Sequence, residues 1–200
     1  MQAGEVIKKT IERIAGTGHG PRQLAAGAIR RRRPQTFRFE SDDTIPNNPA
    51  LPLICYRKAI RLNEAPDPAA SLADLFARNG WVDSWRDGIY GYAHFHSAAH
   101  EVLGIACGHA RVKFGGDRGK ILTLATEDVV VLPAGTGHQR LSSSEDLLVV
   151  GAYPAGSHYD ECRPSGENCA HALRTIRDAA TPAKDPVYGE SGPLLDLWGV

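Results

Sequence analysis

The sequence lacks an excess of charge of either sign. Its 200 residues hold 23 Lys and Arg against 23 Asp and Glu, a formal net charge of zero. A balanced chain presents no long-range field to polyanions, which argues against nucleic acid and membrane surfaces as partners. The local exception is Arg30 to Arg33, four arginines in a row, which reads as a solvated tail. Cysteine is also scarce: Cys55, Cys107, Cys162 and Cys169 are too few and too scattered for a disulfide scaffold. No stretch approaches the roughly 20 apolar residues of a membrane span, and no N-terminal segment has the apolar region of a signal peptide. These absences predict a reduced, cytoplasmic protein. The length suits one domain, or one domain with an extension, that buries its own core.

What is present divides at about residue 33. Residues 1–33 read as an extension, partly helical or loosely ordered: Val6, Ile7, Ile11 and Ile14 have helical spacing, Gly16 can end that helix, and the Gly- and Ala-rich stretch after it has no clear period. Residues 34–200 read as one compact domain. "TFRFES" alternates apolar and polar, "LPLICYRKAI" is rich in strand formers, and the Asp, Asn and Pro between them are loop chemistry. "DPAASLADLFARNGW" predicts a helix capped by Ser71, with Leu72, Leu75 and Phe76 as its buried face and Asn79-Gly80 as its stop. After Trp81 come seven short strand-like segments, from "GIYGYAHFH" to "DLLVVGAYP", with Gly-rich turns and no helical stretch between them. That pattern predicts an all-β sandwich or barrel. Beyond Pro154 the sequence turns irregular and polar, ending in a tail that packs back through Leu194, Leu195, Leu197 and Trp198.

The segment Gly91–Gly108, "GYAHFHSAAHEVLGIACG", sets three histidines and a glutamate in an apolar stretch. Side chains on a strand alternate faces, so His94 and His96 point the same way. In the next strand Glu101 shares a face with Leu103 and Ile105, and those two belong in a core. His100 then points the other way, toward the rim or solvent. It replaces Glu101 only if the strand restarts one residue earlier, and that slip would turn Leu103 and Ile105 outward. A buried carboxylate beside buried imidazoles costs several kcal/mol unless something balances it. A divalent transition-metal ion does so, and imidazole and carboxylate are good ligands for iron, manganese, nickel, copper or zinc. The turn "PAGTG" after the apolar run at Val129–Leu132 can carry a fourth ligand, His138, back to the same place.

The spacing resembles that of the cupins. Gly88, five residues, His94-x-His96, four residues, Glu101, six residues and Gly108 match the first cupin motif, and Pro133–His138 matches the centre of the second. Two positions depart from the second motif: Glu127 stands where Gly is usual, and Ser142 where Asn is usual. The flanks, including "FRFESDDTIPNNPALPLICYRKAI" and "DPVYGESGPLLDLW", resemble the YjlB-type bacterial cupins, whose activity is unassigned. The resemblance implies an all-β cupin double-stranded β-helix, a jelly-roll barrel with its core at about 84–155, a short N-terminal helical extension and one or two flanking helices. It implies one metal ion held by His94, His96, Glu101 and His138, a small-molecule substrate or ligand, and a homodimer. Cupins include dioxygenases, isomerases, decarboxylases and binding proteins, so the activity must come from the site.

Three further residues are candidates for work at the metal. Arg140 shares the parity of His138 and can hold a substrate carboxylate; an exposed arginine on a barrel strand is the plainer alternative. Tyr90 and Tyr92 share the parity of His94 and offer hydroxyls, or simply pack the wall. His158, Cys162, Cys169 and His171 suggest a second metal cluster, but their six-residue Cys-to-Cys gap exceeds that of structural zinc sites. The leading expectation is a metal-dependent enzyme of the dioxygenase or oxidoreductase type acting on a small oxygen-rich organic molecule. The alternatives are a metal-assisted isomerase and a non-catalytic binding or sensor protein.

Overall fold

The structure is a computed structural model and describes residues 24–200. The helix expected around Val6–Ile14 lies outside the described residues. Nine strands are present among them: β1 (Gln35–Phe37), β2 (Leu53–Tyr56), β3 (Trp81–Asp87), β4 (Glu101–Cys107), β5 (His109–Phe114), β6 (Lys120–Ala125), β7 (Val129–Leu132), β8 (His138–Ser143) and β9 (Leu148–Pro154). They form a six-stranded sheet in the order β1-β2-β7-β4-β9-β3 and a three-stranded sheet in the order β6-β5-β8. Every named pairing is antiparallel. The result is two facing antiparallel sheets, the all-β sandwich that the strand pattern predicts and the jelly-roll arrangement that the resemblance implies.

Alternation along the central strands builds two cores on the two faces of the larger sheet. Leu53, Cys55, Leu103, Ile105, Val130, Leu132 and Val149 face the smaller sheet and interdigitate with Ala110, Val112, Phe114, Leu122 and Leu124. Ile54, Tyr56, Val102, Ala106, Val129, Val131, Val150 and Ala152 face the other way, where helix α1 (Pro68–Arg78) and the C-terminal helix α3 (Pro193–Trp198) cover them. Strands buried on both sides carry continuous apolar runs, which is why "VVVL" and "LICY" show no polar alternation. The N-cap of α1 is Asp67, whose carboxylate accepts the Ala70 N–H at 2.8 Å, and not Ser71, which is buried inside the helix. A third helix, α2 (Gly166–Asp178), occupies a stretch that the sequence presents as irregular and polar.

Residues 24–33 run along the domain. Ala28 is buried, Ile29 forms a bridge with Ile60, and Arg30 pairs with Glu127 at 3.4 Å. Glu127 stands where the resembled motif has glycine, and its φ is +77°, the left-handed region where glycine is at ease. Its carboxylate offsets that strain by accepting the Leu62 N–H at 3.2 Å and the Arg30 guanidinium. In Glu127→Gly the strain of about 1–3 kcal/mol disappears along with two hydrogen bonds worth about 0.5–1.5 kcal/mol each. Overall stability is therefore expected to change by less than about 1 kcal/mol. Trypsin, however, should cut the Arg30–Arg33 run faster, and an unchanged cleavage rate would show that Glu127 does not hold this segment.

Candidate metal centre

The segment between β3 and β4 crosses one end of the sandwich. Sequence pattern predicts a regular strand from Gly88 to His96; the structure has only isolated bridges there, His94 with His138 and Phe95 with Cys162. The reason is a mismatch in register. His94 and His138 exchange backbone hydrogen bonds of 3.2 and 2.9 Å, while the next contact is Arg140 N–H to Tyr90 O at 2.9 Å. Four chain steps from Tyr90 to His94 thus lie opposite two from His138 to Arg140, a bulge of the kind that re-aims side chains. Alternation still holds locally: His94 and His96 face inward, and Phe95 between them enters a cluster with Ile45, Ala134, Ala172 and Ile176 under α2.

The turn before β8 brings His138 to the same place. Gly135 N–H donates to His96 O at 2.7 Å, and Ala134 N–H donates to His100 Nδ1 at 2.9 Å, so the two motifs are stitched together by backbone groups. Gly135 is required on two counts. Its φ is +89°, and a Cβ there would lie 2.5 Å from Ile176 Cδ1 and 2.9 Å from Asn47 O.

His94, His96 and His138 are all buried, and each places a nitrogen within 4.8 Å of the other two. Glu101, 2% exposed, sets Oε2 at 3.6 Å from His96 Nε2 and 3.5 Å from His138 Nε2. Each ring directs Nδ1 at a main-chain carbonyl: His94 at Tyr92 O (3.4 Å), His138 at Thr136 O (3.3 Å), and His96 at Asp160 O. An N–H donated to a carbonyl fixes the tautomer and leaves the Nε2 lone pair for the centre. Protonation is opposed as well. Burial, then the neighbouring His96, pushes His94 down to about 4; burial, then His94 and His96, holds His138 well below the ordinary imidazole range. Three imidazoles whose nitrogens lie within 4.8 Å of one another, with a carboxylate beside two of them, are a donor set that fits a divalent transition-metal ion. The three histidines can hold such an ion.

Further contacts hold these groups, and no pattern in the sequence marks them. The Asp160 carboxylate accepts from Ser97 N–H at 2.7 Å, Ser97 Oγ at 2.6 Å, Ala98 N–H at 3.1 Å and Cys162 Sγ at 3.2 Å. Burial alone would raise its pKa; the hydrogen bonds outweigh that and hold it below the ordinary carboxyl range. The same residue's carbonyl receives His96 Nδ1, so the irregular segment following β9 is fastened to the histidine segment. Tyr153 on β9 hydrogen-bonds Glu101, stacks on Tyr159 at 4.5 Å, and meets the His96 ring edge-on at 5.7 Å. Asp160 is 64 residues from His96. No local pattern marks such contacts.

Tyr90 and Tyr92 stack on one another at 4.6 Å and meet the His94 ring edge-on at 5.1 and 5.6 Å. The Tyr92 hydroxyl donates to Glu161 at 3.2 Å, and the Arg163 guanidinium lies 3.3 Å over its ring. Arg140 donates Nε–H to Ile89 O at 2.8 Å and Nη1–H to Ser143 Oγ at 3.1 Å, which secures the bulged segment. His100 does point away from Glu101, yet it ends 1% exposed against the Trp198 ring at 4.7 Å, not at the rim. Cys162 and Cys169 are free thiols, and among the described residues the only group of potential metal ligands close enough to share an ion is His94, His96 and His138. A hollow of about 150 Å³ takes its walls from Ala93, Lys113, Gln139, Asp42 and Asp117 as well as His138. The first three alternate with His94, Phe114 and His138, so that hollow lies on the outer face and is not the space between the histidines.

No family model matches the chain. Among solved structures it is similar to acireductone dioxygenase from Bacillus anthracis with a cadmium ion in its active centre, at 19% identity and a TM-score of 0.33 over 42% of this chain and 58% of that one. It is also similar to an oxalate decarboxylase–formate complex from Lactobacillus farciminis, at 15% identity and a TM-score of 0.35 over 74% of this chain and 42% of that one. The chain thus spans less than two thirds of either structure's length. A full-length relative is much nearer: the uncharacterised protein YjlB of Bacillus subtilis (strain 168) is 40% identical over 168 residues, 84% of this chain and 98% of the relative. With that identity across 98% of the relative, the chain belongs to the same family as YjlB.

Proposed function

We propose that the chain binds one divalent transition-metal ion through His94, His96, His138 and Glu101, and uses it as a dioxygenase-type enzyme on a small oxygen-rich organic acid or enediol. The observation that supports this is the shared orientation of the three imidazoles, each with Nδ1 tied to a carbonyl and the other nitrogen directed inward. Bound there, the ion would supply a Lewis acid and, as iron, manganese or copper, a redox partner. The chain's own groups hold the ligands in place and wall the site. The Tyr90–Tyr92 pair shields His94, and the Tyr153–Tyr159 pair shields His96. The working unit is the domain over residues 34–200, acting in the cytoplasm as a homodimer paired along the edge strand β1. No helix among the described residues is long and apolar enough to cross a membrane.

Elemental mass spectrometry on untagged protein purified without added metal tests the reading, with His96→Ala beside it. Near-stoichiometric iron, manganese, nickel or copper that disappears in the variant is the expected result, followed by oxygen uptake in a screen of small hydroxy- and oxo-acids. Absence of metal after reconstitution would overturn it. A second reading, a non-catalytic binding protein, is favoured by one observation: Arg140 and the Tyr92 hydroxyl are both engaged with the protein itself. A screen that finds tight ligands but neither oxygen uptake nor isomerisation would select it.

A further inference from the structure

The Glu101 carboxylate is steered from β9. Val102 lies opposite Ala152 and Leu103 opposite Gly151, so the antiparallel register puts Glu101 and Tyr153 side by side on the face that looks into the sandwich. Tyr153 is 4% exposed and its side chain hydrogen-bonds Glu101. On its other side Trp85 Nε1–H donates to the Tyr153 hydroxyl oxygen at 3.1 Å. With that oxygen already accepting, the single phenolic proton is left to point at the carboxylate. Trp85 reaches this position because Gly151, its cross-strand partner, has no side chain: a Cβ there would lie 2.1 Å from the indole.

We infer that Tyr153, backed by Trp85 over Gly151, is a positioning residue that orients Glu101 toward the histidine cluster. The inference rests on the metal-binding reading above. A carboxylate free to rotate presents either oxygen to an ion; one oxygen hydrogen-bonded to Tyr153 leaves the other directed at His96 and His138. Partners of this kind change metal affinity about 10- to 100-fold when removed. Tyr153→Phe deletes the hydroxyl and keeps the ring that packs on His96 and Tyr159.

The test is a competition titration with Co(II), read together with its visible spectrum, on the wild type, Tyr153→Phe, Trp85→Phe and Tyr188→Phe. Tyr188→Phe removes a phenol that bonds Arg30 O away from the site. The expected result is about tenfold weaker Co(II) binding and a shifted visible band in Tyr153→Phe, a smaller change of the same sign in Trp85→Phe, and none in Tyr188→Phe. The melting temperature of the metal-free Tyr153→Phe protein should stay near wild type, which separates positioning from loss of fold. A wild type that binds Co(II) and a Tyr153→Phe variant with the same affinity and spectrum would overturn this inference alone. A wild type that binds no Co(II) would overturn the metal reading, and this inference with it.

Discussion

His138→Ala is expected to weaken metal binding roughly a hundredfold while leaving the jelly roll intact. Four-ligand zinc sites bind with about 10–16 kcal/mol, so one ligand carries on the order of 3 kcal/mol. The fold does not depend on the imidazole. His138 exchanges backbone hydrogen bonds with His94, and its Cα pairs with Phe114 at the start of β8. Neither contact uses the side chain. Thermal shift is the direct measurement. At a metal concentration about a thousand times the wild-type Kd, bound metal stabilises by about 4.1 kcal/mol; a Kd a hundredfold larger reduces that to about 1.4 kcal/mol. The difference corresponds to roughly 5–11 °C of melting temperature for a chain of this size. A metal-induced shift as large in His138→Ala as in the wild type would remove His138 from the ligand set.

The faces of β4 follow from alternation: Glu101, Leu103 and Ile105 do look into the sandwich, and Val102 and Ala106 look toward the helices. The inward placement of Glu101 was legible because a one-residue slip would have exposed two core residues. The segment before β4 was not legible as a regular element. Its bulge at Gly91–Tyr92 is set by pairing with β8, some 48 residues later, and period-two reasoning has no way to register it. Helix α2 was missed for a different reason. "GENCAHALRTIRD" buries only Cys169, Ala172 and Ile176, so the apolar stripe is thin and the polar residues dominate the reading. Its signal was the cap, since Ser165 Oγ accepts the Asn168 N–H at 3.0 Å. The second layer around the site is tertiary throughout. Asp160 reads as a loop residue and Tyr153 as one more aromatic in a buried strand until the folded chain sets them beside His96 and Glu101.

Phe95→Ala is expected to lower the stability of the metal-free protein by about 3–5 kcal/mol, the usual range for truncating a buried phenylalanine. Phe95 is fully buried, and its ring is the meeting point of three separate parts of the chain: Ile45 in the loop before β2, Ala134 in the turn before His138, and Ala172 and Ile176 on α2. The cavity left behind cannot close without moving one of them, because α2 has only three buried side chains with which to hold its place. The effect reaches the metal site through geometry. Phe95 lies between His94 and His96, so the packing of its ring on one face sets the direction of both imidazoles on the other. Its backbone also pairs with Cys162, N–H to O at 3.0 and 2.9 Å, which keeps Asp160 within reach of His96 and Ser97. Chemical denaturation gives the stability loss, and Co(II) titration of the folded fraction gives the coupling. Phe95→Leu, which retains most of the buried volume, should recover most of both. A Phe95→Ala protein that loses stability and still binds Co(II) as tightly as wild type would show that the histidine pair is held by its backbone hydrogen bonds alone. Equal losses in stability and in affinity would place the Phe95 cluster among the structures that build the site.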